Sequence, residues 1–377
     1  MLAAGTAAAA SNAVFGIGLP VIVPQLREEF DLSLGQIGVL LAASWIGITL
    51  TLLPWGLAAD RFGERLVLAV GMLGSAAFLV GAAFASSFEE LVVLLALVGA
   101  AGGAVNSASG RAVMHWFGPD ERGLALGVRQ TAIPVGGLIG ALSLPAIADA
   151  GGSEAAFLFL AALSAIGAVI GALVLRGREA DDGIEPESVV RTIGDAKLWR
   201  LSVGSGLYLY AQVAVIGFGV LFLVDEHGFS EQSAALVFAG SQVLAAVFRI
   251  GGGRWSDRMG ARVVPLRRVG VSIVAVMLAT AALAGGPSWL LVPVLILAGG
   301  LTMAWNGLSF TAAAELAGAV RTGAAIGVQQ TVLAASGVAA PVAFAATVSS
   351  GSWAAAFGVA ALVPLAGWWL LGPLSER

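Results

Sequence analysis

The chain has 377 residues, 58% hydrophobic and 11% charged, with a mean hydropathy of +0.94. Soluble domains lie near roughly 45–50% apolar and about 25% charged, so this composition excludes a soluble globular protein. The net charge of −4 offers nucleic acid no basic face, and the absence of cysteine removes disulfides, thiolate nucleophiles and thiolate metal sites.

Several enzyme classes fall at the same stage. The only lysine, Lys197, follows Ala196, so the Gly-Lys-Ser/Thr of a phosphate-cradling loop occurs nowhere. His115 and His227 are too far apart in sequence for a paired-histidine zinc helix, and neither sits in a nucleophile turn. The chain is expected to be no enzyme and to need no metal or cofactor.

A hydrocarbon core about 30 Å thick takes about 20 apolar residues per helix. Cutting the apolar runs at charges and Gly/Pro clusters predicts spans at 3–25, 35–58, 66–86, 91–114, 123–148 and 155–175. The second half follows with 201–224, 233–253, 264–285, 288–314, 322–347 and 352–372, twelve in all. The first run lacks a basic leader and is too long for a signal peptide, so it reads as a retained span. With both ends inside, fifteen of the 19 basic residues fall in inward loops or the tail, and only Arg27 falls outside. The outward loops carry acids instead: Glu28, Glu29, Asp31, Glu89, Glu90, Asp149, Glu154, Asp225, Glu226 and Glu231. Positive charge stays in the cytoplasm, so both termini are expected there. The excess of arginine over lysine suggests a GC-rich prokaryote and hence its cytoplasmic membrane.

The chain also repeats itself. Gly56-Leu-Ala-Ala-Asp60-Arg61-Phe-Gly63-Glu64-Arg65 returns 197 positions later as Gly253-Arg-Trp-Ser-Asp257-Arg258-Met-Gly260-Ala261-Arg262. Gly127-Val128-Arg129-Gln130-Thr131 matches Gly327-Val328-Gln329-Gln330-Thr331, and Asn106 matches Asn306, both at an offset of 200. Landmarks half a chain apart mean a duplicated six-helix unit. The expected divisions are an N-terminal bundle over 1–175, a polar cytoplasmic linker over 176–200 and a C-terminal bundle over 201–377.

The sequence Gly-x-x-x-Asp-Arg-x-Gly-x-Arg, after span 2 and again after span 8, resembles the signature loop of the major facilitator superfamily. The resemblance covers essentially the whole chain and implies an all-α membrane fold of two six-helix bundles. It further implies that Gly56, Asp60, Arg61, Gly63, Arg65 and their repeats Gly253, Asp257, Arg258 and Gly260 latch the halves on the cytoplasmic side in an outward-open state. Glu64 departs from the basic residue usual in the family. On physical grounds, glycines permit a tight turn between close helices while Asp60 and Arg61 make charge-assisted contacts at a helix end. A simple topogenic hairpin is the plainer alternative.

Polar groups inside a span are expensive and should face the bundle interior. Apart from Arg267 and Arg268, counted with the inward loop at the start of span 9, spans 3, 6, 9 and 12 hold nothing more polar than Ser75, Ser164, Ser272, Thr280 and Ser352. The others hold Asn12; Asn106 and Arg111; Arg129, Gln130 and Thr131; Tyr208, Tyr210 and Gln212; Gln242 and Arg249; Asn306; and Gln329, Gln330 and Thr331. Every third span is therefore lipid-like, which the resemblance renders as four peripheral supports around a central path.

The arginines direct the choice of cargo. Arg249 and Gln242 lie two turns apart on nearly one face of span 8. The setting of Arg249 resembles that of the span 8 arginine in superfamily members that carry carboxylates and small inorganic anions, and a guanidinium fork matches such groups bidentately. Alternatively Arg249, about 6 Å of rise before Arg254, snorkels to the membrane edge. Arg129 could line the cavity, gate or snorkel, and for Arg111 the edge reading is favoured. Tyr208 and Gln212 share a face of span 7 and could line the cavity or join helices, an ambiguity shared by Asn12, Asn106 and Asn306.

The expected function is secondary or facilitative transport of a small organic or inorganic anion by alternating access. Arg249 is the counter-ion, with Arg129, Gln242, Tyr208 and Gln330 as neighbours. The partners are the solute, the lipid bilayer and a coupling ion if one is used, and the carrier is expected to be a monomer. The competing expectation is efflux of lipophilic drugs. Against it, Leu95 stands where such antiporters carry an arginine four residues before a glycine, and Ile133-Pro134-Val135-Gly136-Gly137 only half echoes their span 5 motif. The only acid near a span is Glu315, at the cytoplasmic end of span 10, which reads as a loop-edge residue.

Overall fold

A computed structural model describes residues 2–116, 130–174, 191–318 and 321–374. Helix α1 has two segments, Leu2–Gly18 and Val23–Phe30, joined by a tighter 3-10 turn at Leu19–Ile22 that contains Pro20. Then come α2 (Leu34–Phe62), α3 (Glu64–Ala83) and α4 (Phe88–Trp116). The stretch Ala132–Val174 is broken at Gly151 and Gly152, the latter at φ 72°, into α5 (132–150) and α6 (153–174). The second half holds α7 (Ala196–His227), α8 (Glu231–Met259), α9 (Val263–Leu283), α10 (Ser288–Thr302 and Trp305–Ala317), α11 (Thr322–Ser350) and α12 (Trp353–Leu370). These are twelve apolar helices, each long enough to cross a membrane once the Gly151–Gly152 break is counted.

The duplication is visible in the backbone. Ser33 caps α2 by accepting the Gln36 N–H, and 197 positions later Ser230 caps α8 by accepting the Ser233 N–H. Just before each cap, Asp31 and Gly228 take the left-handed conformation at φ 49° and 64°. Just after each long helix, Gly63 and Gly260 turn at φ 81° and 60°. A positive φ is cheap for glycine, so the signature loops need it at those two positions. Gly56 and Gly253 behave differently from expectation. Open space lies beside both Cα atoms, so neither is required by close helix packing in this conformation.

Helix boundaries run past the expected ones where charge ended the apolar run. Asp195 caps α7 by accepting the Lys197 N–H at 3.0 Å, so residues 196–200, expected in the linker, form its first turn. Arg27, Glu28 and Glu29 likewise belong to α1. A helix that protrudes from the hydrocarbon core carries charge cheaply at its wet ends, so cutting at charges shortens it. The expected start of span 5 at 123 lies outside the described residues, as does the linker up to residue 190.

Within each half, α2 packs on α4, α3 on α4, and their repeats α8 on α10 and α9 on α10. At the α2–α4 crossing Gly47 lies against the carbonyl of Ala96 and Gly99 against that of Ser44, leaving no room for a Cβ at either. The halves meet where α2 packs on α11 and α5 on α8. Gly38 abuts Ala345 and the Pro341 carbonyl, and the Trp45 ring lies over Gly337. On the face carrying the acidic loops, an Arg27–Asp225 ion pair joins the end of α1 to the end of α7. That pair ties the two halves together on this face.

Candidate functional site

Arg249 decides the character of the centre. It lies four residues past the middle of α8 and is 5% exposed, so it does not snorkel to the edge. Its Nε donates to the Met303 carbonyl at 2.9 Å, Nη1 to the Gln130 carbonyl at 2.7 Å and Nη2 to Asn306 Oδ1 at 3.1 Å. Asn306 Nδ2 in turn donates to Gln212 Oε1 at 3.1 Å, which orients the amide so that its oxygen faces the guanidinium. Four helices thus converge on one cation: the residue leading into α5 and the break in α10 directly, α8 as its bearer, and α7 through Gln212. The Gln130 bond crosses between the halves. Among the described residues no carboxylate lies within ion-pair distance of Arg249. A charge at mid-membrane costs about 2.5–3.5 kcal/mol or more, and the three acceptors offset part of that cost.

The Met303 acceptor comes from a break in the helix. Between the segments of α10, Met303 N donates to Gly300 O at 3.3 Å and Ala304 N to Leu301 O at 3.0 Å, three residues back instead of four. Irregular backbone at membrane depth persists only where it is buried in protein or lines a cavity. Here it offers a carbonyl to a cation, as the broken helices of carriers do.

Gln242 lies two turns from Arg249 and is 1% exposed, yet neither Nε2 nor Oε1 has a hydrogen-bond partner. Its amide sits against Gly137 of α5, beside Ile17 of α1, so it too faces the other half. Gln330 is half-buried on α11. Asn12 is half-buried and lies over Gly102 of α4. The side chains of Asn106 and Arg111, and the whole of Arg129, lie outside the described residues.

Tyr208 needs correction as a cavity neighbour of Arg249. It shares a face with Gln212 as expected, but its hydroxyl packs on Gly270 of α9 and its ring on Gly367 of α12. Its ring meets Trp305 edge to face, centroids 6.4 Å apart, so Tyr208 is buried inside the C-terminal half. Gln329 also turns inward: its Nε2 donates to Ser309 Oγ at 2.5 Å, and Ser309 meets Ser205 Oγ at 2.5 Å. This second polar seam ties α11, α10 and α7 together.

The signature loops differ between halves. In the second, Arg262 Nη1 bonds Asp257 at 2.5 Å and its Nε bonds Glu315 at 2.8 Å. Burial opposes the charge of Arg262 most strongly, but the hydrogen bonds and charges of Asp257 and Glu315 outweigh it and raise its pKa. Glu315 is thus an ion-pair partner at the end of α10. In the first loop Arg61 and Arg65 are exposed, Arg61 stacking over Phe62, and the side chain of Asp60 lies outside the described residues. Arg258 is exposed as well.

Sequence reasoning passed over three participants. The Met303 carbonyl had no signal, since no proline marks the break. The Gln130 carbonyl had none either, because any residue presents one. Arg27 did: a lone cation among ten acids on one face is a natural inter-half partner, and it takes Asp225.

Twelve spans in two repeated halves, joined by an ion pair on one face and sharing a buried cationic centre, define a membrane solute carrier. The chain belongs to the Major Facilitator Superfamily, whose family model matches residues 2–341. It is 33% identical over 360 residues to an uncharacterized MFS-type transporter of Mycobacterium tuberculosis, covering 95% of this chain and 81% of that one. It is 24% identical to a hexuronate transporter of Bacillus subtilis, over 63% of this chain and 60% of that one. With a probable nitrate/nitrite antiporter of Thermus thermophilus it shares 32% identity over 70% of this chain and 61% of that one. Its fold matches a bacterial homologue of the human lysosomal transporter Spinster, with TM-score 0.75 at 17% identity over 99% and 94% of the two chains. The protein is a multi-pass membrane transporter.

Proposed function

We propose that this transporter moves a small anion by alternating access, with Arg249 as its counter-ion. The observation that carries the reading is a guanidinium buried in mid-span with acceptors but, among the described residues, no acid beside it. Breaking a buried pair leaves a costly lone charge, so a site with the cation alone is suited to a partner that arrives from outside. The two relatives named for hexuronate and for nitrate/nitrite both handle anions, which supports the same class.

The geometry links binding to movement. Arginine has five N–H donors, and one of those in use is held by a carbonyl of the opposite half. A carboxylate or oxyanion is a stronger acceptor than a peptide carbonyl, so an entering anion competes with Gln130 for Nη1. Occupancy then loosens a contact between α5 and α8 while Asn306 and Gln212 keep the guanidinium aimed. Gln242 and Gln330 complete the C-terminal side of the site, with Asn12, Asn106 and Arg129 opposite. The paired loops at Gly56–Arg65 and Gly253–Arg262 act as the switch on the basic face, the cytoplasmic one, with both termini there, in a prokaryotic inner membrane.

The test is a thermal-stability screen of purified protein against carboxylates, inorganic anions, sugars and lipophilic cations, with Arg249→Gln alongside. A ligand at a hundredfold its Kd adds about 2.7 kcal/mol to the folded state. Stabilisation by anions that disappears in Arg249→Gln is the expected result. Stabilisation by lipophilic cations that survives the substitution would falsify the anion reading and favour drug efflux.

A further inference from the structure

Gln242 is the unexplained group at this site. Its amide is buried in the middle of a membrane span with donor and acceptor both unpaired, a costly state in an apolar medium unless something fills it. An anion alone cannot fill it. Carboxylate, nitrate and halide only accept hydrogen bonds, whereas the Gln242 carbonyl oxygen requires a donor. A hydroxyl both donates and accepts, and satisfies both ends of the amide in turn.

Position adds a length. Gln242 and Arg249 bracket the middle of α8, three residues before it and four after, so their Cα atoms are about 10 Å apart along the axis and side chains on one face keep a separation of that order. A carbon chain of about four to six atoms spans roughly 4–6 Å at C–C bonds of about 1.5 Å. A hydrogen bond of about 2.9 Å at each end extends that reach to roughly 10–12 Å. A compact oxyanion seated on Arg249 is too short to reach Gln242 as well.

Accessibility supplies the order of events. The amide is covered by Gly137 of α5 and by Ile17 of α1, both on the N-terminal half, and Ile17 is itself only half-buried. Gly137 offers no side chain to bond it. On the acidic face, nearer the start of α8, the Arg27–Asp225 pair joins the two halves. Parting of the halves on that face uncovers Gln242 before Arg249, which lies deeper by those two turns.

From this geometry we infer that the site is bipartite and takes a hydroxylated organic acid of about four to six carbons, its carboxylate on Arg249 and a distal hydroxyl on Gln242. The inference rests on the anion reading and narrows it. Gln242 sets specificity and Arg249 supplies charge.

The experiment compares gluconate and glucuronate with hexanoate, acetate and inorganic phosphate as ligands of the purified full-length carrier, reading Kd from thermal shifts. The hydroxylated acids bind at least tenfold more tightly than hexanoate, which has the carboxylate and the length but no hydroxyl. In Gln242→Leu that preference collapses to less than threefold, through weaker binding of the hydroxylated acids. Equal binding of gluconate, glucuronate and hexanoate by the unmodified protein overturns the inference without any variant, as does a preference that survives Gln242→Leu. Acetate or phosphate binding as tightly as the hydroxylated acids, and lost in Arg249→Gln, refutes the bipartite site and leaves the anion reading standing. Binding of no anion, or binding indifferent to Arg249→Gln, refutes both.

Discussion

The Arg27–Asp225 pair fastens the two halves on the acidic face, and breaking it should open that face by a calculable amount. The two side chains are 33% and 27% exposed, so water screens the pair in part. Partly exposed ion pairs contribute roughly 0.2–1 kcal/mol. Since about 1.4 kcal/mol is a factor of ten, Arg27→Ala should raise the population open on this face by up to roughly fivefold, with about threefold at mid-range. The chain has no cysteine, so one introduced thiol reports alone. Leu41 on α2 is 7% exposed and lies beside Gly217 of α7, beneath the acidic face. In a Leu41→Cys background, the rate of labelling by a hydrophilic maleimide follows the open population when opening is fast. Arg27→Ala should raise that rate two- to fivefold, and the reversed pair Arg27→Asp with Asp225→Arg should return it to within twofold of the starting value. Half-molar salt should shrink the difference, because the Debye length falls to a few ångströms. An unchanged rate in Arg27→Ala, or a reversed pair that labels as fast as the single variant, would refute the reasoning.

Other substitutions test the packing beneath the site. Gly99→Ala drives a Cβ onto the Ser44 carbonyl, and overpacking of this kind costs about 1–3 kcal/mol, read as a lower melting temperature in detergent. Ser309→Ala strips partners from Gln329 and Ser205 and should cost about 1–3 kcal/mol in the same assay while leaving anion stabilisation intact. Arg262→Gln should cost less than about 1 kcal/mol, because its partners Asp257 and Glu315 are 61% and 54% exposed and resolvate freely. Asn306→Leu removes the acceptor from Arg249 Nη2 and the donor from Gln212 together, so anion-induced stabilisation should weaken about tenfold in apparent Kd, the equivalent of one charged hydrogen bond.

Hydropathy and charge carried the fold because each is a local property. A span needs about 20 apolar residues wherever it lies, and the acidic and basic loops alternate however the helices pack. The repeat was readable for the same reason: the turns at Gly63 and Gly260 demand residues that accept a positive φ. The backbone repeat even exceeds the sequence repeat, since Asp31 and Gly228 differ in identity but share the left-handed cap. The site resisted because its parts are tertiary. Helical spacing put Tyr208 and Gln212 on one face, but which neighbours cover that face depends on the packing of α9, α10 and α12. The break in α10 follows Gly299–Gly300 without a proline, and the carbonyl it presents takes Arg249 from a helix 54 residues earlier in sequence. The cost of a polar group in a membrane states that it must be satisfied and leaves open by what. For Arg249 the structure answers with Met303, Gln130 and Asn306. For Gln242 it shows the amide placed between the halves with nothing bonded to it, the condition expected of a group whose partner is the cargo.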